Sequence, residues 1–181
     1  MFVTLRDETG APLNFVGMAL GWDPAQRRRF GGRVQNIDLN AAALLFSGAD
    51  IVDVVYHEQL SSRDGSVRHH GDSVTGEGTG DVEVITVDLT RMASQVTTVI
   101  FLVTSYGGQT FEQIDNAFCR LFDGASSTEI ARYNLDRGEH TGFVMGRLFT
   151  ADAEWHYEPI GAAIFAGHPV EAVTQVSQFL V

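Results

Sequence analysis

Eleven short runs rich in valine, isoleucine, threonine and aromatic residues follow one another along the chain, each bounded by glycine, aspartate or another turn former. They cover residues 2–5, 14–21, 37–46, 51–60, 66–70, 82–89, 97–105, 116–123, 129–135, 142–150 and 154–160. Strand side chains point alternately to opposite faces, so runs this short bury apolar surface only by stacking in sheets. Asp64-Gly65 and Asp123-Gly124 lie between apolar runs and tolerate the positive backbone angles of tight hairpins, which favours antiparallel pairing. Two packed sheets or a closed barrel would satisfy this pattern. The expectation is an all-β fold, a two-sheet antiparallel β-sandwich with a few short helices. A short turn fits "TFEQID" (110–115), and "PVEAVTQVSQFL" (169–180) has helical spacing with Pro169 suited to its first turn, placing a helix against the sheet's edge. With 181 residues and no long linker, the chain reads as one domain over 1–181.

Charge narrows the function classes. Asp and Glu outnumber the basic residues 23 to 12, a formal charge of −11, so the field repels nucleic-acid phosphates and anionic lipid and favours cations. Nucleic acid is not expected as a partner on this ground. All twelve basic residues are arginines, which rules out a Schiff-base lysine, a phosphate-loop lysine and a serine-lysine dyad. No stretch approaches the roughly 20 apolar residues that span a bilayer, so direct membrane insertion is not expected. Cys119 has no partner for an internal disulfide and the N-terminus lacks a secretory pattern, so a cytoplasmic location is expected. The arginine-rich "DPAQRRRFGGR" (23–33) reads as an exposed loop.

The chemistry concentrates in "HHGDSVTGEGTGDVEVITVDL" (69–89). Gly76, Gly78 and Gly80 superficially suggest a dinucleotide loop, but that loop needs a helix after it, and here a strand pattern follows. A phosphate in the loop would also face Asp72, Glu77, Asp81 and Glu83, so that reading fails on charge. A divalent cation solves the same problem in reverse. Crowded carboxylates repel unless a hard ion sits among them, and Ca2+ takes six to eight oxygens from side chains and carbonyls that glycine lets the backbone aim inward. Asp81 and Glu83, two apart at a strand start, are expected on one face; Asp38 and Asn40 repeat that spacing on another strand. Zinc is disfavoured because Cys and His ligands are not interleaved, and the EF-hand spacing is missing. A solvated acidic hairpin loop, with glycines only for turning, fits the composition equally well.

The chain resembles a known family. "GWDP" (21–24), "NIDLNA" (36–41), "DGSVRHHGDSVTGEGTGDVE" (64–83) and "ITVDL" (85–89) occur in the order seen in the TerD family of tellurium-resistance and calcium-binding stress proteins. "FEQIDNAFCRL" (111–121), "EIARYNL" (129–135), and "GRLF" with "EW" (146–155) are similar to its C-terminal half. The resemblance implies a β-sandwich that binds calcium through the acidic loop and acts in the cytoplasmic response to tellurite and other stress. It implies no enzymatic turnover, and action through calcium-dependent contacts with other stress-response proteins, membrane-associated complexes among them. Asp72, Thr75, Gly76, Gly78, Gly80, Asp81 and Glu83 match the family's glycine-acid pattern. Ser73, Thr79 and Val82 stand where it has asparagine and two aspartates; in the earlier pattern Asp38 matches and Asn40 replaces a carboxylate. The implied calcium ligands are Asp38, Asn40, Asp72, Ser73, Thr75, Gly76, Glu77, Gly78, Asp81 and Glu83. Fewer negative charges imply weaker calcium binding than in relatives, or loss of one of two sites.

Other residues carry weaker signals. "HEQLS" (57–61) lacks the second histidine of a zinc-protease helix and follows a strand pattern. His69 and His70, adjacent on a strand, cannot both face one ion and read as surface histidines. Cys119, among apolar residues, reads as a small buried hydrophobe; Trp22 and Trp155 read as packing groups. No G-x-S-x-G elbow is present. The rival function is a metal-dependent hydrolase acting on an anionic substrate, which needs a general base or charge-stabilising arginine that no motif supplies.

Overall fold

A computed structural model of the protein describes residues 1–23, 37–71, 80–135 and 138–180. Within them all eleven runs form strands: β1 (Val3–Thr4), β2 (Phe15–Gly21), β3 (Leu39–Ser47), β4 (Asp50–Val55), β5 (Val67–His69), β6 (Glu83–Asp88), β7 (Thr98–Ser105), β8 (Phe118–Asp123), β9 (Glu129–Asn134), β10 (Gly142–Ala151) and β11 (Glu154–Ile164). One α-helix, α1 (Pro169–Val176), and 3-10 turns at Phe111–Gln113 and Ser177–Phe179 accompany them. The strands pair antiparallel in two sheets, ordered β1-β11-β10-β7-β3-β4 and β5-β6-β2-β8-β9. Leu39, Leu45 and Phe101 from the first sheet share one core with Met18, Ile85 and Leu121 from the second, so the molecule is a β-sandwich rather than a barrel.

Residue patterns explain the layering. β6 and β8 alternate buried and half-buried positions, as strands with one solvated face do, whereas every residue of β7 is buried. β7 and β3 carry apolar side chains on both faces because each face has a cover. The inner face meets the second sheet. On the outer face Ala42, Leu44, Phe46, Ile100 and Leu102 pack with Ala172 and Val176 of α1. The helix therefore crosses the outer face of the six-stranded sheet instead of lining its edge, because that face would otherwise leave a wide apolar surface in water.

Two strand ends and one turn depart from the sequence expectation by more than a residue or two. β4 stops at Val55, since Tyr56 and Gln59 exchange backbone hydrogen bonds of 3.0 Å in a tight turn. β11 runs on to Ile164, its longer pairing with β10 accommodated by a register shift between Val144 and Gly146. Gly65 has the expected positive φ of 75°, but after Asp123 the positive angle falls on Ser127, φ 62°, whose N–H donates to the Asp123 carbonyl at 2.8 Å. The arginine-rich segment at 24–33 lies outside the described residues.

Strand directions gather four connections at one end of the sandwich. Leu20 pairs with Glu83, Gly21 with Phe118, Leu39 with Ser105, Gly142 with Thr104 and Phe118 with Asn134. The β2–β3, β5–β6, β7–β8 and β9–β10 connections thus leave together, and the acidic glycine-rich segment is one of them.

Candidate metal centre

Backbone and side-chain bonds tie these connections to one another. The Trp22 indole donates to the Ile37 carbonyl at 3.2 Å, and the Tyr106 N–H donates to the Asp38 carbonyl at 3.0 Å. Asp23 donates its N–H to the Asp115 carbonyl at 3.0 Å and accepts the Asn116 side-chain amide at 2.6 Å. Asn116 has a φ of 53°, a conformation that asparagine tolerates better than most residues. The ties bring Asp23, Asp38, Asp81, Glu83 and Asp115 to one end of the molecule, where acidic side chains make the local field favourable to a cation.

Glu83 points inward at the mouth of β6, in register with the core residues Ile85 and Val87. It is 1% exposed, and its Oε2 accepts the Ala41 N–H at 2.9 Å. Ala41 lies past the last β3–β4 pair, Ala43–Val55, so the carboxylate replaces a strand partner that β4 no longer provides. The same oxygen is 3.3 Å from Nε2 of His69. His69 Nδ1 accepts the Gly71 N–H at 3.0 Å, which leaves the imidazole proton on Nε2, directed at Glu83. His69 is thus a core residue, not a surface one. The alternation Val67 in, Arg68 out, His69 in carried that signal in the sequence.

Asp81 diverges from Glu83, contrary to the shared face expected. Both its oxygens bond Arg120, at 3.0 Å to Nε and 2.6 Å to Nη2. Arg120 lies between the inward Cys119 and Leu121 and so faces outward, while Asp81 precedes β6 and escapes its alternation. Asp38 and Asn40 do stand together: the Asn40 side-chain amide donates to Asp38 Oδ1 at 3.2 Å. Asn40 is 1% exposed and paired opposite Thr104, on the outer face of its sheet that Ala42 and Leu102 share. Its Oδ1, like the Thr104 hydroxyl, has no hydrogen-bond partner among the described residues. Asp72, Ser73, Thr75, Gly76, Glu77 and Gly78 lie outside the described residues. Among those described, no group of three or more His, Cys, Asp or Glu side chains is arranged to hold a metal.

The remaining candidates resolve simply. Cys119 is fully buried, and that burial pushes its thiol far above the ordinary range, which removes it as a nucleophile. Residues 57–61 form a turn, not a zinc-protease helix. Trp22 is buried and Trp155 packs against the core. His70 is exposed and bonds the Thr86 hydroxyl through Nε2 at 2.8 Å; partial burial, then Arg68 and His69, lower its pKa. No described helix is long and apolar enough to cross a membrane.

Fold and loop end together define a two-sheet antiparallel sandwich with an acidic, cross-tied set of connections at one end. The chain belongs to the TerD domain family, whose model matches residues 3–173. It is 39% identical over 168 residues to the tellurium resistance protein TerZ of Serratia marcescens, covering 89% of this chain and 86% of that protein. It is 31% identical over 166 residues to the stress response protein SCP2 of Bacillus subtilis (strain 168), covering 83% of each. A solved homologue of telluride resistance protein TerD from Streptomyces coelicolor A3(2) has the same fold, with a TM-score of 0.79 over 91% of this chain and 98% of that one, at 23% identity.

Proposed function

We propose that this chain is a calcium-binding, non-enzymatic protein of tellurium resistance and stress response, acting in the cytoplasm through calcium-dependent contacts with other stress-response proteins, including membrane-associated complexes. The names of its relatives support the stress role. The observation that carries the calcium reading is Asn40 Oδ1, buried without a donor among the described residues beside the Asp38 carboxylate. A buried acceptor left unsatisfied costs about 1–3 kcal/mol, and a hard cation is a fitting partner for a carbonyl oxygen next to a carboxylate. Asp38 and Asn40 would hold the ion with Asp72, Ser73, Thr75, Gly76, Glu77 and Gly78. In this reading Asp81 and Glu83 are tethers, because Arg120 takes the first and Ala41 with His69 the second. Calcium would supply a double positive charge among repelling carboxylates, and the chain's own contacts, Tyr106 to Asp38 above all, transmit the added order to neighbouring connections.

Titration calorimetry and thermal melting of metal-stripped protein test this. Calcium should release or absorb heat, and the melting temperature should rise with its concentration, since a ligand that binds only the native state stabilises by mass action. Asp38→Ala and Asn40→Leu should each remove most of the rise, and Asp81→Ala less. No calcium heat and an unchanged melting temperature at millimolar calcium would sink the metal reading. Turnover in a phosphatase and esterase screen with Ca2+, Mg2+ or Mn2+, abolished by Asp38→Ala, would replace it with the hydrolase.

A further inference from the structure

Arg68 and Arg91 bracket the acidic segment in sequence, and folding brings them to one cavity of about 560 Å³, lined also by Ser61, Gly65, His70 and Gly71. No described carboxylate lines it. The pairing of arginines elsewhere makes this unusual. Of the seven described arginines, Arg6 pairs with Glu154, Arg120 with Asp81 and Glu129, Arg132 with Glu129, and Arg147 with Glu158. Arg63, Arg68 and Arg91 form no ion pair among the described residues. In a chain with 23 carboxylates against 12 arginines, guanidinium groups left unpaired together, facing one concavity, mark a place kept for an anion from outside.

The neighbouring described carboxylates are engaged elsewhere. Asp64 bonds Ser62, Ser66 and the Ala93 N–H; Glu83 points inward; Asp81 bonds Arg120; Asp88 bonds Thr90. Arg91 crosses Gly65, its Nη1 3.6 Å from where a Cβ would stand, so the guanidinium lies in van der Waals reach of the turn.

We propose that this cavity binds the phosphate group of a small phosphorylated molecule, with Arg68 and Arg91 as the charged donors. Guanidinium groups match phosphate oxygens in bidentate geometry, and the cavity is larger than phosphate alone requires. No described Phe, Tyr or Trp lines it, so a compact polar body such as a sugar suits it better than a stacked base.

Calorimetric titration of the full chain in chelator, which separates this site from calcium, tests the assignment with inorganic phosphate, glucose 6-phosphate and glucose. Both phosphates should bind saturably and glucose should not. Arg68→Gln and Arg91→Gln should each weaken binding about tenfold, the scale of one charged hydrogen bond. Arg132→Gln, at an ion-paired site, and Arg63→Gln, outside the lining, should change it less than about twofold, with melting curves showing that all four variants fold. No saturable heat with either phosphate would overturn the proposal. So would equal weakening by all four variants, which marks a general field effect, or binding confined to vesicles carrying phosphorylated lipid.

Discussion

Nε2 of His69 lies 3.3 Å from Oε2 of Glu83, and neither side chain reaches solvent. The contact closes the sandwich where β4 ends early: Glu83 caps the unpaired Ala41 N–H of one sheet while His69 and Glu83 both belong to the other. A carboxyl group buried this deeply is tolerated only when its oxygens have hydrogen-bond partners.

Glu83→Ala should therefore cost about 3–5 kcal/mol, because it strands a backbone donor and an imidazole N–H in the core. Glu83→Gln keeps an oxygen for both donors and should cost less, about 1–3 kcal/mol. Urea unfolding of the two variants provides the comparison; equal losses would mean that shape, not hydrogen bonding, sets the role of this residue.

Asp64 makes acid stability specific. Burial alone would raise its carboxyl pKa, but the Ser66 hydroxyl and N–H, the Ala93 N–H and the Ser62 hydroxyl outweigh it and hold the group at about 2, below the usual 3.8. A depressed carboxyl contributes stability above the unfolded value and loses it as pH falls through the folded one. Between about pH 4 and 2 the wild type should lose stability that Asp64→Asn lacks already at neutral pH. Unfolding free energies of both proteins across that window check this, and parallel curves would rule it out.

Much of this architecture is written in period-two patterns. β6 and β8 declare an inner face by alternation, and the same alternation turns His69 and Glu83 inward. The unbroken apolar runs of β3 and β7 announce two covered faces, though which element covers the second needs the packing of α1. The Asp81–Arg120 pair was not legible, because Asp81 sits before its strand, where alternation has no hold, and its partner is 39 residues away. Arg68 and Arg91 were equally hidden: they meet only because β5 and β6 pair and the turn after β6 folds back over Gly65.

The helix makes a separate demand. Val176 and Ala172 are fully buried on the outer face, and Arg147 donates to the Phe179 carbonyl at 2.7 Å, pinning the C-terminal turn. Val176→Ala should cost about 1–3 kcal/mol through lost burial and the cavity left. A chain ending at Gly167 should expose Leu44, Phe46, Ile100 and Leu102 and bind a hydrophobic dye or associate. A truncated protein that stays monomeric and binds no dye would show that the helix is dispensable cover.

The β10–β11 hairpin stores strain that one substitution should release. Its two-residue loop, Asp152-Ala153, has φ values of 52° and 63°, the left-handed pair that a tight hairpin twist requires. Aspartate tolerates this conformation, but alanine has no local hydrogen bond to offset the contact between its Cβ and the following carbonyl, a cost of about 1–2 kcal/mol. Glycine removes the contact while adding freedom to the unfolded chain, so the two effects partly cancel. Ala153→Gly should gain about 0.5–1 kcal/mol, a rise of about 1–4 °C in melting temperature for a chain of this size. Ala153→Val should move it the other way, since a branched side chain suits a positive φ still less. A melting temperature that falls in the glycine variant would mean that the turn carries no such strain.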